Sequence, residues 1–219
     1  MRRILILPAY NEEAHIHHVV TMCRDYVDEV IVVDDSSTDD TFRFANLAGA
    51  ITLRHKANIG KSGALKTGCD AAIRLGGDVI ALLDSDGQHD PADLPRFFTA
   101  LQDEELDVVV GSRLQNVKDP FIRRHGNIFV SILLKILFRV KIKDVLTGFR
   151  VFRTTAYRHL RWVSGNYQAD TEMIVRMTVS KLRYKELPID SIYHDPYKGM
   201  TPIDGLLLLL KLVKWRIWL

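Results

Sequence analysis

Asp84 and Asp86 stand one residue apart where an apolar run, Val79 to Leu83, stops. Alternate residues of an extended chain share a face, so the two carboxylates are expected to aim at one point. Two such charges are costly side by side unless a cation or a proton lies between them. Gly87, Gln88 and His89 suit a tight turn beside a hard, oxygen-ligated metal. Ligands also bind at the carboxyl ends of buried strands in open α/β sheets. A turn capping the helix that begins near Pro91 is the plainer alternative for the same residues.

Three further groups stand at predicted strand ends. Pro8-Ala9-Tyr10-Asn11-Glu12 follows the first strand. Asn11 fits a helix N-cap, with Glu12 and Glu13 favoured by the helix dipole. A loop whose Tyr10 meets a nucleobase or ribose fits as well, and spacing alone does not separate the two. Asp34-Asp35 closes the second strand, where an acid suits a ribose hydroxyl or a base N–H. Asn58-Ile59-Gly60-Lys61-Ser62-Gly63-Ala64 opens a helix. Its Gly-Lys-Ser string is not a P-loop, because His55 stands where the first P-loop glycine is required. Either close packing or phosphate-binding donors would explain Gly60 and Gly63. Arg113 and the Arg123-Arg124 pair offer guanidinium forks for phosphate, or a solvated loop.

The elements that must carry these groups alternate. Strands are expected at Arg3–Leu7, Glu29–Val33, Ala50–Arg54, Asp78–Leu83 and Asp107–Gly111, with helices at Glu12–Tyr26, Asp39–Ala48, Lys61–Leu75 and Pro91–Gln102. That rhythm predicts βαβ units, a mainly parallel Rossmann-like sheet with helices on both faces, and one sheet edge collecting the polar groups. Beyond Gly111 come a basic loop, an apolar helix within Asn127–Lys143, a turn into a strand at Thr147–Arg153, a helix at Asp170–Ser180, a strand at Tyr184–Ile189 and a tail helix at Pro202–Leu219.

The chain has 219 residues, 47% of them apolar, enough for one α/β domain with a full core. A net charge of +3 is too weak to argue for nucleic acid. Cys23 and Cys69 read as buried residues of a reducing compartment. No run reaches the roughly 20 apolar residues that span a bilayer. Asn127, Ser131, Lys135 and Arg139 form a narrow polar stripe on an otherwise greasy helix, and Lys211, Lys214, Trp215, Arg216 and Trp218 repeat the theme in the tail. Two such amphipathic helices favour a membrane interface over the core.

These motifs in this order resemble glycosyltransferase family 2, in its dolichyl-phosphate mannosyltransferase (polyprenyl-phosphate glycosyltransferase) branch. Asp84-Ser85-Asp86-Gly87-Gln88-His89, Gly111-Ser112-Arg113 and Thr147-Gly148-Phe149-Arg150 join those above in carrying the likeness, which runs from about Arg3 to Ile192. It implies a GT-A nucleotide-diphospho-sugar transferase fold. Residues 1–111 would form the nucleotide-sugar half, 112–201 the acceptor half and 202–219 an amphipathic tail of a single domain.

The resemblance also implies roles. Pro8, Tyr10, Glu12, Val33 and Asp35 would line the nucleoside site, with Ser85 and Lys198 also on the donor. Asp84, Asp86 and Gln88 would surround Mg²⁺ or Mn²⁺. Asp86 and Arg113 would be the catalytic residues, and Arg113, Arg123 and Asn127 would hold the acceptor phosphate. Serines stand at positions 36, 62 and 85 where many relatives have Gly, Gly and Ala, and Lys198 stands in for a lysine more often found in a Ser-Lys pair.

The expected activity is inverting transfer of a hexose to a polyprenyl or dolichyl phosphate, by a protein peripheral on the cytoplasmic face of the cell membrane. GDP-mannose is the favoured donor and UDP-glucose the next. Glu172 is the candidate base if the acceptor is a glycan hydroxyl. The rivals are a sugar nucleotidyltransferase, which would need a basic Gly-rich loop after the first strand, and a membrane-surface nucleotide-binding module without catalysis.

Overall fold

The computed structural model describes residues 1–113, 121–165 and 168–190, with 208, 211, 212 and 214–216 of the tail; over 121–127 only the backbone is described. Seven strands form one sheet: β1 (Arg3–Ala9), β2 (Glu29–Asp34), β3 (Ile51–Arg54), β4 (Val79–Leu82), β5 (Val108–Ser112), β6 (Arg150–Arg153) and β7 (Tyr184–Pro188). Their order is β3-β2-β1-β4-β6-β5-β7. Every pairing is parallel except those of β6, which runs antiparallel between β4 and β5.

Helices cover both faces, which is why the strands read as unbroken apolar runs rather than alternating ones. Along β1, Ile4 and Ile6 enter one core while Leu5 and Leu7 enter the other. The Ile4 side is covered by α3 (Lys61–Arg74), α5 (Phe121–Phe138), α6 (Tyr157–Leu160) and α7 (Gln168–Val179). The Leu5 side is covered by α1 (Ile16–Cys23), α2 (Thr41–Leu47) and α4 (Leu94–Asp103). Gly68 lets α3 lie directly on β1; a Cβ there would stand 2.3 Å from Cγ2 of Ile6. Both cysteines are buried and unpaired, and burial pushes the Cys23 thiol up to about 12.

Four expectations change. First, α1 starts at Ile16, not Glu12, and Asn11 is no cap. Asn11 takes a left-handed conformation (φ 53°), and its Oδ1 accepts from Thr38 N at 2.9 Å. Thr41 Oγ1 meanwhile accepts from Glu12 N at 2.8 Å, so residues 11–12 are tied to the start of α2 rather than to their own helix.

Second, the apolar helix ends at Phe138 rather than running to Lys143. Arg139 turns left-handed (φ 60°), and the next backbone donors are taken over by β7: Lys141 N by Tyr184 Oη (3.2 Å) and Lys143 N by Glu186 Oε1 (3.0 Å).

Third, core and surface both claim α5. Val130 and Leu134 are buried, whereas Phe129, Ile132 and Ile136 are exposed, Ile136 by 71%.

Fourth, Trp215, expected in a headgroup layer, packs with Leu208 and Leu212 in the α3-side core. No described helix is long and apolar enough to cross a membrane.

Candidate active site

The strand order reverses between β1 and β4, because the chain runs β1 to β3 in one direction and resumes with β4 on the other side of β1. The carboxyl ends of β1 and β4 splay around that point, as in other open sheets. Ser85 Oγ donates to the carbonyl of Pro8 at 2.7 Å and ties the two ends together. The serine that replaces a common alanine therefore acts as a clamp.

Asp84 follows β4 and is enclosed on three sides. Lys61 Nζ, from the first turn of α3, lies 2.5 Å from its Oδ1. His89 Nε2 lies 3.9 Å from its Oδ2. Gly148 packs against the carboxyl so closely that a Cβ would stand 2.6 Å from Oδ2 and 2.8 Å from Oδ1. Burial alone would raise this carboxyl, but the charges of Lys61, His89 and Arg113 together with the Lys61 hydrogen bond outweigh it and hold the group at about 2. Lys61 itself is driven upward, burial opposing and the charges of Asp84 and Asp170 prevailing.

Asp86 does not continue an extended strand. It sits in a turn with Ser85 and Gly87 (φ 72°), where its Oδ1 accepts from Gln88 N at 3.1 Å. The turn, not strand periodicity, brings the two acids near each other. Burial and then the Asp84 charge raise the Asp86 carboxyl. Among the described residues Asp86 is thus the half of the pair without an ion-pair partner, although the His89 and Lys61 charges reach it and act to lower it.

On the β2 side, Asp34 and Asp35 are both buried. Asp34 Oδ1 accepts from Ser37 N at 2.9 Å, and its Oδ2 lies 3.2 Å from Arg54 Nε. Ser36, which follows the two acids, is left-handed (φ 67°), a conformation that glycine adopts without strain. Asp35 accepts from Ile59 N (3.0 Å) and Gly60 N (2.7 Å) and lies 2.7 Å from His55 Nδ1. A carboxylate has about four acceptor sites. Asp35 therefore braces the loop ahead of α3 and keeps little capacity for a nucleoside. Val33, expected to line that site, is wholly buried beneath α3 beside Gly68, so its side chain forms the core under the site. Pro8 is buried, Glu12 is buried with its backbone held by Thr41, and Tyr10 is exposed at the rim.

Across the cleft, Arg113 gives Nε (2.8 Å) and Nη2 (3.0 Å) to the two oxygens of Asp144. The fork expected to take phosphate is closed on this carboxylate, which itself accepts from Arg113 N at 3.0 Å. Glu186 Oε1 fixes the partner by accepting from Asp144 N at 2.9 Å. The Arg113 charge is still felt at Asp84 and His89. Asp144 was not singled out in the sequence, because one acid after a basic run carries no local signal.

Glu172 cannot serve as the free base expected for a hydroxyl acceptor. Its oxygens accept from Val163 N (3.0 Å), Ser164 N (2.8 Å) and Arg176 Nε (2.6 Å). Burial acts to raise this group, but those bonds win and lower it. Nearby, Arg150 and Asp170 form a buried ion pair with Nη1 2.5 Å from Oδ1. Ser62, a further serine in place of glycine, donates to Ser164 O at 2.8 Å and pins the start of α3 to the same 162–164 segment.

The model of the family described as Glycosyl transferase family 2 matches residues 4–161. The chain belongs to this family. The UDP-N-acetylglucosamine–dolichyl-phosphate N-acetylglucosaminyltransferase of Methanococcus voltae is 30% identical over 215 residues, covering 87% of this chain and 86% of that protein. The undecaprenyl-phosphate mannosyltransferase of Micrococcus luteus is 30% identical over 209 residues, covering 89% and 85%. Among solved structures, glucosyl-3-phosphoglycerate synthase from Mycobacterium tuberculosis, in complex with Mn²⁺, UDP and glucosyl-3-phosphoglycerate, superposes with a TM-score of 0.76 at 21% identity, covering 98% of this chain and 79% of that one. The fold is GT-A.

In this family-2 protein, Asp86 and the Oδ2 of Asp84 are the oxygens that would hold a divalent metal. The raised Asp86 carboxyl marks a local excess of negative charge that such a cation would relieve, and carboxylate oxygens suit Mg²⁺ or Mn²⁺. Among the described residues no three His, Cys, Asp or Glu side chains converge. Mg²⁺ is commonly held by one or two carboxylates together with substrate phosphates and water. Gln88 contributes its backbone N–H to Asp86; its side chain is half-buried at the same turn. Arg123 and Asn127 fall in the part of α5 where side chains lie outside the description, and Lys198 lies outside the described residues.

Proposed function

We propose that the chain transfers a sugar from a nucleoside diphosphate to a polyprenyl phosphate, inverting the anomeric centre. GDP-mannose is the favoured donor; UDP-N-acetylglucosamine stands next, because a relative named for that donor is equally similar. The single observation that carries the reading is the turn at the β1/β4 reversal, where Asp84 is locked by Lys61 and Gly148 while Asp86, raised by burial and the Asp84 charge, has no ion pair among the described residues.

The main obstacle in such a transfer is charge on the departing diphosphate. A bound Mg²⁺ or Mn²⁺ would neutralise part of it. The chain's own contribution is cationic groups held in place before substrate arrives, the Lys61 ammonium by Asp84 and the Arg113 guanidinium by Asp144. Preset charges need no rearrangement during reaction, which is the source of their effect. The phosphate oxygen of the acceptor attacks the anomeric carbon as the diphosphate leaves from the opposite face. A phosphate monoester has a second pKa of about 6, so it is largely dianionic at neutral pH and needs no strong base. The engagement of Glu172 in backbone bonds accords with that economy.

The exposed face of α5, Phe129, Ile132 and Ile136, would rest on the membrane that holds the lipid acceptor. Release of nucleoside diphosphate, measured with and without a short polyprenyl phosphate across a panel of nucleotide sugars, tests the reading. Release that depends on both substrates supports it. Release indifferent to the lipid phosphate, or none with any donor, rejects it.

A further inference from the structure

A groove of about 310 Å³ lies where the end of α5 meets the end of α7 and the tail, lined by Leu137, Phe138, Arg139, Val179, Trp215 and Arg216. Asp170, near the start of α7, lies close enough to Lys61 of the candidate site for its charge to act there, and Val179 ends the same helix nine residues later, about 14 Å along its axis. The groove is therefore separate from the place where an acceptor phosphate would react. Among the described residues no acid lines it and neither arginine has an ion-pair partner. It continues the exposed stripe of Phe129, Ile132 and Ile136, and exposed Lys135, Lys141, Lys143 and Lys214 lie on the same two segments.

We propose that this groove binds the headgroup of an anionic phospholipid, so that docking requires a negatively charged bilayer and not merely an apolar one. The inference rests on the reading of α5 as membrane-facing. Two guanidinium groups with no ion pair among the described residues, over aliphatic and aromatic walls, match a phosphodiester with its acyl chains beneath. A neutral partner or a second copy of this basic surface would leave both arginines uncompensated, whereas an anionic lipid neutralises them.

The test is co-sedimentation of the full chain with vesicles of phosphatidylcholine alone, or of phosphatidylcholine mixed with phosphatidylglycerol. The wild type is expected to prefer the mixed vesicles, less so as salt is raised. Arg139→Asn with Arg216→Gln removes both charges; asparagine is chosen because residue 139 is left-handed. At roughly fivefold per cation near an anionic surface, the double variant should lose about 25-fold in affinity for mixed vesicles. Its binding to neutral vesicles and its melting temperature should stay as in the wild type.

Wild-type affinity of the double variant for mixed vesicles overturns the groove. So does release of the wild type from those vesicles by inorganic phosphate at matched headgroup concentration. A vesicle-free dimer that Ile136→Asp dissociates would also overturn it, since a second copy would then cover the face. Failure of the wild type to bind either vesicle rejects the membrane reading on which the proposal rests.

Discussion

Lys61 Nζ lies 2.5 Å from Asp84 Oδ1, which joins the first turn of α3 to the end of β4 across the reversal of the sheet. The contact gives Asp84 a cation built into the fold, whereas Asp86 has no ion pair among the described residues. It also brings the Gly-Lys-Ser segment, whose role in the sequence was open between packing and phosphate binding, to the centre of the site.

Lys61→Met removes that cation. The Asp84 carboxyl, held at about 2, should climb, as followed by the pH titration of its labelled carboxyl carbon. Turnover should fall by about 100-fold, the scale of removing one preset electrostatic group. An unchanged titration would show that Lys61 does not control Asp84.

Gly148→Ala places a methyl group 2.6 Å from Asp84 Oδ2, so the carboxyl must move. A displacement near 1 Å in an active site costs about 100-fold. We expect kcat/KM to drop on that scale with the thermal midpoint shifted only slightly. Wild-type kcat/KM would mean that the close packing has no functional weight.

Asp86→Ala should abolish Mn²⁺ binding, read by electron paramagnetic resonance, with the far-ultraviolet circular dichroism spectrum unchanged. Chelation should silence the wild type in the same assay of diphosphate release. Manganese binding by the variant would remove Asp86 from the metal site.

Glu172→Gln is expected to destabilise the fold by about 2 kcal/mol at neutral pH, because hydrogen bonds to a charged acceptor are weakened. The folded Glu172 carboxyl is lowered from its ordinary 4.5. Its stabilisation is therefore complete above 4.5 and fades as pH falls toward the lower folded value. Urea midpoints of wild type and variant should converge below pH 4.5. A constant gap across that range would mean that the ionised form is not what stabilises.

Ile136→Asp and Leu134→Asp separate the two faces of α5. Ile136 is 71% exposed and Leu134 is 0% exposed. The first should leave the melting temperature intact and release the protein from vesicles. The second buries a carboxylate in the core and should cost several kcal/mol, enough to unfold much of the protein. Equal destabilisation by both would mean that Ile136 is covered in the folded protein.

The alternation of apolar runs and amphipathic segments determined by itself that β1 to β5 line up as a mainly parallel sheet, because unbroken apolar strands must be covered on both faces. It also determined that Pro8, Asp34, Gly60 and Asp84 gather at one edge, since each stands at or beyond the carboxyl end of a strand running the same way. The tertiary structure alone decided the antiparallel β6, whose four residues fit either direction until β4 and β5 flank them. It alone decided the partners of charge: Lys61 with Asp84, Arg113 with Asp144, and Glu172 with the amides of Val163 and Ser164. Those pairings span up to 31 residues, and one-dimensional spacing carries no information about which side chains meet once the chain has crossed the sheet.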